Sequence, residues 1–455
     1  MINTLYLPEL REMLAEQDAA GLAEFCVALH PARTAEFMEG LTTEECWRVL
    51  AHTDTATQVE IFGYLGLDRQ IEMIETLDRT EVARFISELP PDDRVDLLGK
   101  VNPEVRAQLL PLIPAVERHD ILRLEAYPEG TAGAVMTTEV ARLSESMTVG
   151  QALESVRRQV EESETIYYAY VVDEENHLRG LVSLRQLVLA KSATPVSELM
   201  RRDVISVDVT TDQEEVAHEI ARYDFLAIPV VDTEHHLLGI VTHDDVMDVV
   251  HEEATEDVHR IGGVAPLDVG YLETALSSMT LKRGGWLTFF FFGALVTAVF
   301  LGRYEATLTA QPWLVFFLPL VISSGGNTGS QSATLIVRAL ATGDLTLRDS
   351  WRILRRELFM GLLLGGFLSG IGLLAAALMM RVLYPTRAFD IQHVSVIPAT
   401  LIAIVVCGAL TGSLLPLLFR RFNLDPALMS TPLVAMINDM VGVLIYFEIA
   451  KLLVP

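Results

Sequence analysis

A single carboxylate interrupts the last apolar stretch of the chain. Asp439, preceded by Asn438, lies near the middle of the apolar stretch 433–447, which belongs to a segment, 428–453, that is long enough to cross a bilayer. A carboxylate at that depth costs about 2.5–3.5 kcal/mol on insertion scales, and such residues normally face water or other protein groups. Asp439 is therefore the first candidate for a functional residue, and the chemistry open to it is the binding of a cation.

A polar cluster interrupts another apolar segment of the chain. The ten residues Ser323–Ser332 are small or polar, and Asn327 and Gln331 are one helical turn apart. Close helix packing would account for the glycines and serines but not for the two amides. Carboxylates, amides and hydroxyls are hard oxygen ligands that suit Mg²⁺, Ca²⁺ or Mn²⁺. Asp439 and Asn327 therefore predict a divalent-cation site inside a membrane, with hydrogen bonding between helices as the alternative role for Asp439.

Charge is divided unevenly along the chain. The 455 residues carry a formal net charge of −27. Up to Arg260 there are 51 acidic and 21 basic residues, and beyond it 10 and 13, so an acidic soluble part precedes a weakly basic, apolar part. Such an acidic chain is a poor partner for nucleic acid, and its natural small ligands are cations. The three dispersed cysteines have no zinc spacing, and no nucleophile–base pair indicates an enzyme.

Five segments of residues 284–455 are expected to cross a membrane, since each is long and apolar enough. Loops on the side of the N-terminal part hold nine Lys or Arg residues, and those on the opposite side hold four, Arg387 among them. Positive residues favour the cytoplasmic side, and the N-terminus lacks the pattern of a signal peptide. We therefore expect a multi-pass membrane protein with a cytoplasmic N-terminus and an external C-terminus.

Residues 1–130 are predicted to form short helices. Apolar residues recur at helical spacing, and capping or proline residues repeatedly precede acids in a first turn. Such starts occur at Thr42, Asp78, Pro90 and Asn102. Recurrent short helices indicate a small superhelical array, whose acids form a solvated surface unless a partner neutralises them.

An internal repeat follows the helical segment. Val171–Ser183 matches Val230–Thr242 in the pattern Val-Val-Asp…His-Leu-x-Gly, and a Met-x-x-x-Val start precedes each copy. The repeat resembles a tandem pair of cystathionine-β-synthase (CBS) modules, 133–196 and 197–255. This resemblance implies a ligand-sensing pair, often for adenine nucleotides such as ATP, with Thr242 and Asp245 as ribose contacts. A pair that only dimerises is the alternative.

An acid-rich stretch connects the repeat to the first span. Asp245, Asp248, Glu252 and Glu256 share one helical face, where like charges repel by a few tenths of a kcal/mol each. We predict a connecting helix at about 251–278 that docks only when cations neutralise this face. A solvated acidic helix is the alternative.

One aspartate alone is a weak site for a divalent cation, and five spans are few for an enclosed pore. Homo-oligomers are most often two-fold dimers, and a two-fold axis along the second and fifth spans would bring two copies of Asp439 together. Mg²⁺ sheds water reluctantly and could pass such a site with its waters retained. We therefore expect a homodimer in membrane lipid, with the pore at its axis.

The membrane segments resemble the MgtE family of magnesium channels and transporters. The resemblance is carried by Ser324–Ile336, by Asp425-Pro-Ala-Leu and by Pro432–Tyr446, and the order of domains is also that of the family. It implies a homodimeric Mg²⁺ channel of the bacterial inner membrane, with Asp439 as the selectivity residue. The residues matched by position as cytosolic Mg²⁺ sensors are Glu214, Asp224, Asp245, Asp248, Glu253, Glu256 and Asp257, with Asp425 at the inner pore mouth and Asp92 and Asp96 in the helical domain. Thr431 departs from the Asn expected there.

The sequence therefore predicts a multi-domain α plus α/β membrane protein. A helical superhelix occupies 1–130, the CBS pair 133–255, the connecting helix 251–278 and a five-helix pore domain 284–455. Its predicted function is Mg²⁺ uptake for magnesium homeostasis, closed by cytosolic Mg²⁺. A proton- or Na⁺-coupled divalent-cation transporter is the first alternative, although no second deep ionisable residue supports it. A membrane-anchored nucleotide sensor is the second, and the polar span argues against it.

Overall fold

The computed structural model describes residues 5–160, 163–267, 270–272, 274–383 and 391–454. They form two compact units, one ending at His251 and the other beginning at Glu252. Residue Arg387, which contributed to the predicted orientation, lies outside the described residues.

In the first part of unit 1, the described residues form ten α-helices. They are α1 (Leu7–Glu16), α2 (Ala19–Ala28), α3 (Pro31–Met38), α4 (Thr43–Leu50), α5 (Thr55–Gly63), α6 (Leu67–Thr76), α7 (Arg79–Ile86), α8 (Pro91–Lys100), α9 (Pro103–Leu109) and α10 (Ala115–Leu124). Thr42 and Glu45 form a capping box at α4, and Asp78 and Asn102 accept backbone N–H bonds at the starts of α7 and α9. Buried aliphatic and aromatic side chains from these helices form one core, so the predicted helical domain is present.

Two three-stranded sheets follow. The strands are β1 (Val140–Ser144), β2 (Thr165–Val172), β3 (Leu178–Ser183), β4 (Val207–Asp208), β5 (Ala227–Val231) and β6 (Leu237–Thr242), and the helices among them are α11 (Val149–Gln159), α12 (Leu184–Leu189), α13 (Val196–Leu199) and α14 (Gln213–Tyr223). In each sheet the first strand is parallel to the second, and the second is antiparallel to the third. The sequence repeat is therefore a structural repeat.

The two modules exchange their entering segments. Met200, which precedes the second sheet, packs on Gly180 of the first, where an added Cβ would lie 2.8 Å from its sulfur. Met136, which precedes the first sheet, packs in the same way on Gly239 of the second, at 3.0 Å. The glycine of the repeated motif is required because a segment of the other module crosses directly over it, and this crossing holds the modules together.

The connecting helix differs from the prediction. It is α15 (His243–Ile261), which begins directly after β6 and crosses the boundary between the two units. Gly262 and Gly263 follow it, and Gly263 has a φ of +70°, the left-handed conformation that ends helices. The described residues between 264 and 275 are not helical, and 268, 269 and 273 lie outside the described residues. The prediction of a helix to 278 was wrong because the glycine pair ends it.

The described residues of unit 2 form six further α-helices. They are α16 (Leu276–Gly302), α17 (Glu305–Ala310), α18 (Leu314–Ala341), α19 (Ser350–Leu383), α20 (Ile391–Arg421) and α21 (Thr431–Leu453). Among the described residues, four of these helices are long and apolar enough to cross a membrane, namely α16, α19, α20 and α21. Helix α18 is equally long but carries the polar cluster. The multi-pass character is therefore confirmed, while a crossing by α18 stays a prediction.

Helices α18, α20 and α21 pack closely through glycines. Gly325 and Gly329 of α18 lie against Gly408 and Gly412 of α20, and a Cβ on Gly412 would overlap the carbonyl oxygen of Gly329. The Asn438 side chain of α21 also packs on Gly329. Small residues permit this close backbone approach, which fixes α21 against α18.

Candidate functional site

Asn438 and Asp439 have different surroundings. Asn438 is 2% exposed, and its Nδ2 has no hydrogen-bond partner among the described residues. Asp439 is half-buried, and its Oδ1 lies 3.6 Å from the place a Cβ would take on Gly326 of α18. It is about 12 Å from the start of α21, at 1.5 Å per residue. The carboxylate therefore lies beside α18 at a partly exposed edge of the helix bundle.

The polar residues of α18 form an exposed stripe next to Asp439. Ser323, Asn327 and Gln331 recur every four residues and all are exposed, and Asn327 Nδ2 donates to Ser323 Oγ at 3.2 Å. Asn327 directly follows Gly326, the glycine that Asp439 adjoins. Polar side chains in a span are costly against lipid and turn toward water or protein. The polar stripe and Asp439 therefore form one face of the helix bundle whose contact with lipid would be unfavourable.

Hydrogen bonds hold both ends of α21 against α18. Ser330 Oγ donates to the Thr431 carbonyl oxygen at 3.2 Å, and Tyr446 Oη donates to the Leu314 carbonyl oxygen at 2.9 Å. Tyr446 is fully buried. Together with the glycine contacts, these bonds set the position of Asp439 relative to the stripe. Thr431, where the resemblance led us to expect Asn, takes part through its backbone.

Asp425, the predicted inner-mouth residue, is bound to an arginine. Arg260, in the last turn of α15, donates to Asp425 and also to Glu256, one turn earlier on the same helix. Asp425 accepts a further bond from Ala427 N at 2.7 Å. A predicted sensor, Glu256, and the predicted inner-mouth residue Asp425 are thus brought together by a cation that the chain itself supplies. Sequence reasoning missed Arg260, whose signal was its i, i+4 spacing from Glu256.

Asp257 lies close to the same group. Partial burial, and then the charges of Asp425 and Glu253, raise the pKa of Asp257 to about 6, while Arg338 acts in the opposite direction. Two predicted sensors, Asp257 and Glu253, and the predicted inner-mouth residue Asp425 therefore form a group in which Asp257 is repelled by the other two, and binding of a cation would relieve that repulsion.

A second acidic group joins α8 to the CBS pair within unit 1. The Oδ1 atom of Asp92 is buried and has no partner among the described residues, and desolvation followed by the charge of Asp245 raises the pKa of Asp92. Desolvation and the charges of Asp245, Asp96 and Asp248 raise the pKa of Asp93 to about 6. The structure thus brings four predicted site residues together and adds Asp93.

Glu164 is another member of this acidic group that sequence reasoning missed. Desolvation by neighbouring protein, and then the charges of Asp245 and Glu139, raise the pKa of Glu164 to about 7. No three His, Cys, Asp or Glu side chains in the described part of the chain form a ready coordination shell. The group is therefore a region of repelling charge and not a preformed metal site. Nothing local in the sequence links Glu164 to α8, because only the fold brings them together.

Glu214 and Asp224 lie at opposite ends of α14. Glu214 is in its first turn, and Asp224 follows its last residue in a left-handed conformation with φ 53°. A helix of 11 residues separates its ends by about 15 Å. The structure therefore does not bring these two predicted sensors together.

A small cleft lies within the CBS pair, with a cavity volume of about 90 Å³. Its lining includes Tyr168, Arg201 and Phe225, which combine aromatic faces with a guanidinium group. Thr242 is buried and its Oγ1 donates to Asp245, so the two predicted ribose contacts bind each other. Sequence reasoning did not single out the cleft residues, because they come from different strands and loops.

Family descriptions match three parts of the chain. The divalent cation transporter domain MgtE matches residues 318–449, the MgtE intracellular N domain matches 29–130, and CBS domains match 132–193 and 196–252.

Complete relatives and partial structures are also similar. The magnesium transporter MgtE of Thermus thermophilus is 40% identical over 98% of this chain and 97% of its own length, and that of Enterococcus faecalis is 32% identical over 97% and 96%. The crystal structure of the soluble part of a magnesium transporter is 36% identical, with a TM-score of 0.52, covering 54% of this chain and 97% of that one. The cytosolic domain of the Mg²⁺ channel MgtE in complex with ATP is 39% identical, with a TM-score of 0.50, covering 53% and 98%. On sequence identity across its whole length, this chain belongs to the MgtE family.

Proposed function

We propose that the protein is a homodimeric, Mg²⁺-selective uptake channel whose pore lies between the α18 and α21 helices of two copies. The observation that carries this proposal is the exposed stripe of Ser323, Asn327 and Gln331 beside Asp439. A two-fold axis along the stripe would remove these groups from lipid and line a wet path with them. Membership of a family whose relatives are named magnesium transporters supports Mg²⁺ as the ion carried.

Selection in this pore would act on the hydrated ion. Two copies of Asp439 across the axis attract a divalent cation and exclude anions, and the Asn327 amides supply oxygen ligands for its water shell. Because Mg²⁺ holds its waters tightly, outer-sphere contact avoids the cost of stripping them. Asp439 is thus the residue that selects, and Asn327 is its companion.

Cytosolic Mg²⁺ would close the pore by bridging acids that repel in its absence. Within unit 1, Asp92, Asp93 and Asp96 of α8 face Asp245 and Asp248 of α15. Within unit 2, Glu253, Glu256 and Asp257 of α15 lie near Asp425. A ligand shifts such an equilibrium only by binding one arrangement more tightly, and convergent carboxylates are the arrangement that a divalent cation prefers. Glu214 and Asp224 would act as separate, weaker sites.

ATP is proposed as a second cytosolic ligand, bound in the cleft of the CBS pair. The structural relative whose cytosolic domain was solved with ATP supports this assignment. Tyr168 and Phe225 offer faces for an adenine ring, and Arg201 offers charge for phosphates. Thr242 and Asp245 would contribute only if their mutual hydrogen bond opened.

The membrane placement that follows has five crossings, with α18 as the second, in a bacterial inner membrane. The N-terminus would then be cytoplasmic and the C-terminus outside, in keeping with the positive residues near the inner ends of the spans.

The test is Mg²⁺ flux into liposomes that contain the purified protein, with Mg²⁺ varied on the side of unit 1. A channel of this kind carries Mg²⁺ down its gradient and closes when that side reaches millimolar Mg²⁺. Flux that stops when proton and Na⁺ gradients are collapsed would instead identify a coupled divalent-cation transporter.

A further inference from the structure

An apolar cavity of about 550 Å³ opens between the first turns of α16 and the adjoining ends of α20 and α21. Its walls include Leu281, Trp286 and Phe289 from α16, Phe419 from α20 and Leu433 from α21. The volume falls within the range of about 300–1,000 Å³ that small-molecule sites occupy. None of the proposed pore or sensor residues lines it, so it is separate from the proposed pore and from the acidic groups.

Basic residues adjoin the lining of the cavity in sequence. Arg420 and Arg421 directly follow Phe419, and Arg283 follows Lys282, which is part of the lining. The three arginines are exposed, and no carboxylate among the described residues pairs with them. Lys282 is held by the chain, since its Nζ donates to the Pro266 carbonyl oxygen. An apolar interior beside uncompensated guanidinium groups is complementary to an amphipathic anion.

We propose that this cavity binds an anionic phospholipid of the cytoplasmic leaflet. Its acyl chain would lie against Trp286 and Phe419, and its phosphate would lie at Arg420 and Arg421. Basic pockets between spans on the cytoplasmic side take anionic head groups for this reason. A second copy of the chain is a poorer occupant, because the apolar part of the sequence is itself weakly basic and offers few carboxylates to the arginines.

The position of the cavity couples this lipid to the pore helix. Ala265 N donates to the Lys282 carbonyl oxygen at 3.3 Å, so the segment after α15 is fastened at the cavity. Gly263 lies against Phe290 of α16 and Pro432 at the start of α21. Helix α16 packs mainly on α21 in unit 2. A lipid bound between α16 and α21 therefore packs against the N-terminal end of α21, and Asp439 lies about two turns along the helix from that end.

Binding is tested on the full chain by quenching of Trp286 fluorescence with brominated phosphatidylglycerol against brominated phosphatidylcholine in vesicles. A Trp286→Phe chain supplies the blank for the other tryptophans. We expect phosphatidylglycerol to be preferred. Substituting both Arg420→Gln and Arg421→Gln should weaken it roughly 25-fold, since each cation near an anionic surface contributes about fivefold. The pair Arg355→Gln and Arg356→Gln on α19 removes equal charge and should leave the preference intact.

A second variant separates the cavity from the general surface charge of the membrane. Gly285 lines the cavity, and a Cβ there meets nothing within 4 Å. The Cβ of a Gly285→Leu side chain therefore meets no clash, the rest of the side chain adds bulk at the cavity wall, and every arginine is kept. We expect it to abolish preferential quenching and any dependence of Mg²⁺ flux on phosphatidylglycerol.

Equal quenching by the two lipids, or unchanged quenching in both Gly285→Leu and the Arg420/Arg421 variant, would overturn the proposal. Quenching does not require transport. A chain that binds phosphatidylglycerol but carries no Mg²⁺ would refute the proposed function alone.

Discussion

Asn438 and Asp439 are adjacent in sequence, yet the side chain of Asn438 is buried in the helix bundle and that of Asp439 is partly exposed at its edge. The buried amide packs on Gly329, where a larger residue would not fit. An unpaired buried amide costs about 1–3 kcal/mol, so the close glycine contacts and hydrogen bonds of α21 must offset it. The helix rotation they impose leaves Asp439 facing the polar stripe of α18.

The first prediction concerns Asp439 itself. Asp439→Asn keeps the shape of the side chain and removes its charge, and we expect Mg²⁺ flux in liposomes to be abolished because the pore loses its attraction for divalent cations. The protein should still insert and elute as wild type in gel filtration.

Glu448→Gln is the matched control for that prediction. Glu448 lies on the same helix, but it accepts a bond from Tyr304 Oη at 2.9 Å and pairs with Lys451 at 3.6 Å. Its neutralisation should spare flux. Normal uptake by Asp439→Asn would remove Asp439 from the pore.

The second prediction concerns Arg260. It holds Glu256 and Asp425, the groups that Mg²⁺ is proposed to bridge, and therefore competes with the ion. Partly exposed ion pairs are worth up to about 1 kcal/mol, so Arg260→Gln should lower the cytosolic Mg²⁺ concentration that halves the flux by roughly fivefold. Arg260→Lys keeps the charge and should change it less. A midpoint that stays constant or rises in Arg260→Gln would contradict competition.

At the scale of elements, glycines decide how closely the helices of unit 2 approach. Those of α18 and α20 meet backbone to backbone. On α19, a Cβ added to Gly361 would lie 2.9 Å from an α20 backbone atom, and one added to Gly365 would lie 3.0 Å from another. A Cβ added to Gly366 or Gly370 would meet nothing within 4 Å. Spacing along the sequence does not separate these two kinds of glycine, and only the helix rotations distinguish those that must remain small.

The third prediction follows from this difference. Gly412→Ala places a methyl group on the carbonyl oxygen of Gly329, and overpacking of this kind costs about 1–3 kcal/mol. We expect a lower midpoint of thermal unfolding in detergent. Gly370→Ala, which adds the same methyl group to open space, should not lower it. Equal midpoints for the two variants would show that the close contact is not present.

At the scale of the whole molecule, acids far apart in sequence face one another. In unit 1 the raised pKa of Glu164, from 4.5 to about 7, reports repulsion and desolvation in the folded arrangement. Because the folded value is raised, the stabilisation is complete when Glu164 is protonated and is lost as the pH rises from about 4.5 to about 7. A bridging cation would take the place of the proton.

The fourth prediction states the resulting pH dependence. When a chelator removes divalent cations at a pH above about 7, α8 and the CBS pair should separate. Addition of Mg²⁺, or acidification to about pH 6, should bring them back together. Distances between labels on α8 and α14 of the full-length protein measure this. Mg²⁺ binding should also release protons at about pH 6.5 and not at about pH 8.5. Separation on acidification would reverse the sign and reject the interpretation.

The fifth prediction tests closure. Neutralising the five proposed sensor acids of α15, with Asn or Gln as isosteres, should leave flux open at millimolar cytosolic Mg²⁺, because both acidic groups lose the carboxylates that α15 contributes. The residues are Asp245, Asp248, Glu253, Glu256 and Asp257. The flux of the variant in liposomes at millimolar Mg²⁺ should equal the flux of the wild type at low Mg²⁺.

Five exposed acids of the helical domain provide a control of equal charge for that variant. They are Glu9, Glu12, Glu16, Glu24 and Glu44. Their neutralisation should preserve closure, and unchanged inhibition in the α15 variant would exclude this helix as the sensor.

The sequence by itself determined the order of domains, the capped helices at Thr42, Asp78 and Asn102, the CBS repeat and the candidate role of Asp439. These features depend on local spacing, hydropathy and motif, which are properties of neighbouring residues. Only the tertiary structure decided where α15 begins and which acids face one another. It also decided that Arg260 forms an ion pair with Asp425, and that Asn327 is exposed while Asn438 is buried. Each of these depends on helix rotation or on contacts between distant segments, and periodicity in one segment carries no information about which residue another segment places opposite it.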